Sequence, residues 1–172
     1  GPRIRKVDTN GMMTTVAGAG TAYVDGAKAI EVKIDWPQDT HEGMCVDAAG
    51  NIYFGADRGS KPSEFAHEIR RVDAITGTIT TVAGGGSTEP PDNGTITAKN
   101  AKMTKIRSVA ADGAGNIYIW DASSISGTPG STEGPRIRKV DTNGMMTTVA
   151  GAGTAYVDGA KAIEVKIDWP QD

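Results

Sequence analysis

The chain has 172 residues, 38% of them hydrophobic and 5% aromatic, with a net charge of −3. That balance supports a core and excludes a global basic field that would recruit nucleic acid or an anionic membrane by charge alone. A single cysteine, Cys45, excludes an internal disulfide and reads as a small core residue, and no apolar run approaches the roughly 18 residues of a membrane-crossing helix.

The first predicted elements surround Asn10-Gly11, a tight-turn dipeptide whose residues both tolerate positive φ. Residues 1–18 thus read as two strands, the third and fourth of a four-strand unit whose first half is absent. Ile4 and Val7 stand three apart, which breaks strict strand alternation and leaves Arg5 and Lys6 to lay their stems along apolar surface. After a long connection over 19–42, a complete unit follows. Gly43–Asp47 is its first strand, Ala48-Ala49-Gly50 turns the chain, and the second begins at Asn51–Phe54. Glu68–Asp73 is the third and Thr78–Ala83 the fourth. Gly55 adds one residue relative to the next unit and marks a natural bulge. A second complete unit has strands at Ser108–Asp112, Asn116–Trp120, Arg136–Asp141 and Met145–Ala150. β-Branched and aromatic residues concentrate in these stretches, with Gly, Asn and Asp between them.

Periodicity is the strongest fold signal in the chain. Residues 1–39 recur letter for letter as residues 134–172, and a looser copy lies between, at Ile69–Asp73 and Ile79–Gly84. A small unit repeated in this way is stacked or ringed rather than folded alone. The divisions expected are 1–42, half a unit with its connection, 43–106, a complete unit with its connection, and 107–172, a second. Identity over 39 residues beside divergence between adjacent units points to recent duplication or to deliberate engineering.

Connection lengths alternate. Those after first and third strands are short; those after second and fourth strands, at 58–67, 122–135, 19–42 and 85–106, are long. In an antiparallel meander the long ones emerge on one face, where binding residues concentrate.

The pattern Val46-Asp47-Ala48-Ala49-Gly50-Asn51-Ile52-Tyr53, then Ile69-Arg70-Arg71-Val72-Asp73, then Thr80-Thr81-Val82-Ala83-Gly84 resembles bacterial NHL-repeat β-propeller blades. Gly18-Ala19-Gly20-Thr21-Ala22 with Asp25-Gly26 is similar to that family's inter-blade stretch. The resemblance implies an all-β fold of four-stranded antiparallel blades around a channel, commonly six of them, and a bacterial secreted or cell-surface location. This chain holds two complete blades and half of another, too few to close a ring of about four to eight. Open flanks and sheet edges invite pairing, so closure by a cyclic homo-oligomer is expected, a trimer giving six full blades.

Candidate chemistry is sparse. His41 and His67 form no ligand-spaced pair, so neither metal nor cofactor is expected. The carboxylates Asp25, Glu31, Asp35 and Asp39 alternate with Lys28 and Lys33 as in a solvated loop. No nucleophile elbow, phosphate loop or dinucleotide fingerprint is present, and Asn93-Gly94-Thr95 is a weak glycosylation match. Arg3, Arg5, Lys6, Arg70, Arg71, Arg136, Arg138 and Lys139 recur on third strands, whose side chains point toward neighbouring blades or the outer flank rather than one open surface, so nucleic acid is not the expected partner. The aromatics Tyr23, Trp36, Trp120, Tyr156 and Trp169 belong to the long-loop side and could stack on a glycan or peptide, or plug gaps between blades. Three readings follow: a non-enzymatic repeat scaffold or interaction module, a carbohydrate- or peptide-binding propeller, and an NHL-type lyase or hydrolase. The first leads, since fold alone does not confer activity.

Overall fold

The computed structural model describes residues 1–35, 43–57, 67–122 and 134–167. The chain is all-β among these residues, with three single-turn 3-10 helices at Ala29–Glu31, Ala98–Asn100 and Ala162–Glu164. Its strands form three antiparallel sheets, none closed on itself. An N-terminal hairpin pairs β1 (Ile4–Val7) with β2 (Met13–Ala17). A central sheet holds β3 (Met44–Val46), β4 (Ile52–Asp57), β5 (His67–Val72) and β6 (Ile79–Gly84) in chain order. A C-terminal sheet has five strands: β8 (Ile106–Ala111), β9 (Ile117–Asp121), β10 (Arg136–Val140) and β11 (Met145–Ala150) in chain order, with β7 (Thr95–Thr97) against the outer edge of β11.

The strand positions follow the expected repeat, and one aspartate sets each short turn. Asp8 Oδ1 accepts from the amides of Asn10 and Met12, Asp47 Oδ1 from Ala49 and Asn51, Asp112 Oδ1 from Ala114 and Asn116, and Asp141 Oδ1 from Asn143 and Met145. An aspartate bonded to its own following backbone substitutes for a turn's main-chain bonds. Asn10 does not share the left-handed conformation; Gly11 alone takes it, at φ 78°. The turn from Asp8 to Gly11 therefore needs one glycine, not the Asn-Gly pair expected.

Bulges lie elsewhere than expected. Gly55 pairs in unbroken register with Ile69. The register instead shifts between Ile69 and Arg70, where β6 passes from Ala83 to Thr81 and leaves Val82 unpaired. The same shift occurs between Ile4 and Arg5 and between Ile137 and Arg138, so it recurs in all three copies of Thr-Thr-Val-Ala. Nor is alternation broken in the third strand. In β10, Arg136, Arg138 and Val140 are buried, while Ile137 and Lys139 are half-buried. Ile137 and Val140 belong to opposite faces.

Two cores result. One joins the central and C-terminal sheets through Tyr53, Ile69 and Ala83 on one side and Val109, Ile117, Ile119, Val140 and Met146 on the other, with Ala98, Ala101 and Met103 from the connection between them. Cys45 is half-buried against it. The other gathers Ile4, Ala17, Ala29, Val32 and Ile34 over Phe54, Ala56, Val72 and Ile79 of the central sheet. Burial of such apolar area, at about 25 cal/mol per Å², drives the packing.

Candidate association surface

The connections after fourth strands do not stay at one end of the sheets. Among the described residues, each of the first two folds back so that a parallel bridge joins its two ends, and the run between them follows the outer edge of the next sheet to the turn after its third strand. In the first, a parallel bridge joins Ala22 to Val32, and Gly20 N donates to Val32 O at 3.3 Å. A side chain at Gly20 would put Cβ 1.7 Å from the Glu31 carbonyl oxygen, so only glycine permits this closure. Between the bridged residues the segment pairs with β6: Gly26 N donates to Ile79 O at 2.7 Å, Ile79 N to Ala27 O at 2.9 Å, and Ala29 N to Gly77 O at 2.8 Å. Lys28 Nζ reaches Thr76 O at 2.6 Å. β7 repeats the pairing on β11, with Met145 opposite Thr97 and Thr147 opposite Thr95.

An arginine fastens each connection. Arg70 Nη2 donates to Val24 O at 3.1 Å, and Thr81 N donates to Asp25 Oδ1 at 2.6 Å. Glu68, buried like Arg70, holds the guanidinium from the sheet side at 2.9 Å and accepts from Thr81 Oγ1 at 3.0 Å. The C-terminal sheet repeats this with other residues. Arg138 Nη1 donates to Pro91 O at 3.2 Å and its Nε to Asp121 Oδ2 at 3.1 Å. Arg138 also bonds Thr148, and Asp92 takes two bonds from Arg136, at 2.8 and 3.0 Å. Burial pushes the Asp92 carboxyl up, but the Arg136 hydrogen bonds and the charges of Arg136 and Arg138 outweigh it and hold the group below its ordinary range. These third-strand arginines are therefore engaged in ion pairs between segments.

Among the described residues, the aromatic candidates Tyr23, Trp120 and Tyr156 have different surroundings. Tyr23 lies against Arg70, whose guanidinium carbon is 5.1 Å from the ring centre. Its hydroxyl is buried, and burial together with the Glu68 charge raises its pKa. The cavity beside it, about 210 Å³, is lined among the described residues by Asp25, Arg70, Thr81, Gly84 and Lys99 as well as Tyr23. Trp120 is half-buried on β9, its Nε1 buried. Tyr156 is exposed, with Lys166 Nζ 5.3 Å from its ring centre. Trp36 and Trp169 lie outside the described residues, as does His41. His67 is buried, with Nε2 3.4 Å from Asp57 Oδ1. Among the described residues no group of three or more His, Cys, Asp or Glu is placed to hold a metal, and no helix is long and apolar enough to cross a membrane.

The residues that sequence reasoning missed are apolar ones on the sheet flanks, and the repeat supplies their controls. Met44 and Val46 on β3 are 54% and 58% exposed, whereas Val109, in the Met44 position of β8, is 4% exposed against the central sheet. At the other end of the chain, Tyr118 and Ile137 are half-buried, while their counterparts Tyr53 and Ile69 are buried in the core between the sheets. The duplicated segment gives a stricter control. Val7 and Met13 are each 59% exposed, but the identical residues Val140 and Met146 are 4% and 1% exposed. Local sequence cannot account for a difference between identical segments; the neighbouring strands do. β10 pairs with β9 along five residues and β11 with β7 along three, whereas among the described residues β1 and β2 pair only with each other. No family model matches the chain, and no curated protein matches it.

Proposed function

We propose that this chain is a non-enzymatic repeat scaffold of NHL-type β-propeller blades whose activity is association with further copies of itself. Each complete sheet is then a blade, and the N-terminal hairpin is the outer half of one. One observation carries the reading: residues at equivalent repeat positions are buried where a complete neighbouring sheet covers them and exposed where none does, as with Val109 and Met44. The blade-on-blade contact within the chain is the template for the contact between chains. It is head-to-tail, so it generates a ring if the rotation closes and a filament if it does not. Three chains contribute six complete blades, the number the family resemblance implies.

Native mass spectrometry and sedimentation at micromolar concentration test the reading. A discrete species of three chain masses supports the trimeric ring. A chain that stays folded and monomeric up to hundreds of micromolar overturns the scaffold, and an open ladder of masses replaces the ring with a filament.

A further inference from the structure

We infer that the two copies of the duplicated segment compete for one seat on the central sheet, so that the N-terminal copy caps the chain and a neighbour's C-terminal copy displaces it on assembly. The inference rests on the scaffold reading and adds to it a competitor built into the chain.

The seat is defined by contacts that any copy of the segment reproduces. Arg70, Thr76, Gly77, Ile79 and Thr81 offer its bonding groups, and residues 24–29 satisfy them through four backbone groups and two side chains, those of Asp25 and Lys28. Residues 157–162 carry the same Val-Asp-Gly-Ala-Lys-Ala. That second copy is already folded for the task. Its bridge joins Ala155 to Val165, as Ala22 joins Val32. Gly153 N donates to Val165 O at 3.3 Å, and Lys166 N to Ala155 O at 2.9 Å, matching 3.3 Å and 2.8 Å in the first copy. What it lacks is cover. Ala29, Val32 and Ile34 are buried against the central sheet, whereas Ala162 is exposed and Val165 and Ile167 are only half-buried. A preformed segment pays little ordering entropy on docking.

Exchange of one copy for the other replaces like contacts with like. The difference lies in what each brings. The N-terminal copy brings two strands and leaves Met44 and Val46 exposed. The C-terminal copy brings a complete sheet with the flank of Tyr118, Trp120 and Ile137, which covers them. That extra burial opposes the entropy of association, so displacement is concentration-dependent. The N-terminal copy is the one that yields because less holds it. Its hairpin lacks the strand partners that grip β10 and β11 on both sides. Arg5 is exposed where Arg138 is buried against Asp121.

Identical substitutions in the two copies should therefore have opposite effects. In the full chain, Asp25→Ala weakens the cap and should lower the concentration of half-assembly about tenfold, roughly the value of one charged hydrogen bond. Asp158→Ala weakens the incoming copy and should raise it about tenfold. Gly20→Ala and Gly153→Ala form a second pair with the same expected signs, since Cβ would lie 1.7 Å from Glu31 O and 1.9 Å from Glu164 O. Circular dichroism checks that every variant keeps its strands, and limited proteolysis of the assembled wild type should release an N-terminal fragment first. If the chain assembles but both members of a pair shift it alike, or not at all, the exchange is refuted and the scaffold stands. Reversed signs refute the cap by showing that the C-terminal copy yields. If neither wild type nor any variant assembles at any concentration, the scaffold reading falls and the exchange with it.

Discussion

Methionine 13 and methionine 146 share an identical neighbourhood along the chain, so truncating each isolates the effect of tertiary environment. The unfolded states of Met13→Ala and Met146→Ala lose the same side chain in the same local sequence, and helix and strand propensities cancel. Met146 is 1% exposed within the core between the two sheets, and Met13 is 59% exposed on the hairpin. Removing three heavy atoms from a packed core costs the transfer energy plus a cavity, about 3 kcal/mol for Met→Ala within a range of about 2–5. Removing them from an exposed position costs about 0.5 kcal/mol. With a urea dependence of about 2 kcal/mol per molar, Met146→Ala should lower the midpoint by about 1.5 M and Met13→Ala by about 0.3 M. Equilibrium urea unfolding, followed by far-ultraviolet circular dichroism at a concentration where the chain is monomeric, measures both. Equal shifts would refute the claim that neighbouring strands alone distinguish the copies. Large shifts in both would mean that the N-terminal hairpin also has strand neighbours in solution.

The buried Glu68–Arg70 pair gives a second expectation. Glu68→Ala leaves a buried guanidinium with the Val24 carbonyl at 3.1 Å and, as its nearest carboxylate, the half-exposed Asp25 at 3.5 Å, and should cost about 3 kcal/mol in the same assay. Asp92 sets an acid dependence. Its folded-state pKa lies below the ordinary 3.8, so its stabilisation is present above that value and is lost as pH falls through the lower folded one. Asp92→Asn should therefore weaken the chain at neutral pH, and its gap to wild type should close below about pH 4 in urea titrations. Tyr23 acts at the other extreme. Its pKa is raised, chiefly by burial, so its contribution is complete below the ordinary 10.0 and is lost as pH rises beyond it. Tyr23→Phe should flatten the loss of stability above pH 10, and an unchanged slope there would mean that the phenol is not buried.

The positions of strands and short turns were legible from sequence because both are local. Asp47-Ala48-Ala49-Gly50-Asn51 places an acceptor ahead of two amides, and β-branched runs on either side have only to pair with each other. The identical copies fold identically at that level, with the same hairpin register and the same shift after the isoleucine. Gly55 misled because an extra residue in a count need not be an unpaired one; β4 simply continues to Asp57, which pairs with His67.

What lay beyond the sequence is set by main-chain pairing between distant segments, which leaves little trace in side-chain pattern. Nothing in Thr95-Ile96-Thr97 announces that it will pair with a strand 50 residues later. Tyr23 read as a loop aromatic that could stack on a ligand or plug a gap between blades, and the path of its connection along the next sheet puts it against Arg70. By itself the sequence determined the repeat, the strands, the turns and the identity of the two terminal copies. The tertiary structure alone decided which copy is covered, because burial depends on neighbouring strands that an identical segment cannot specify: Val140 has β9 beside its strand, and Val7 has only β2.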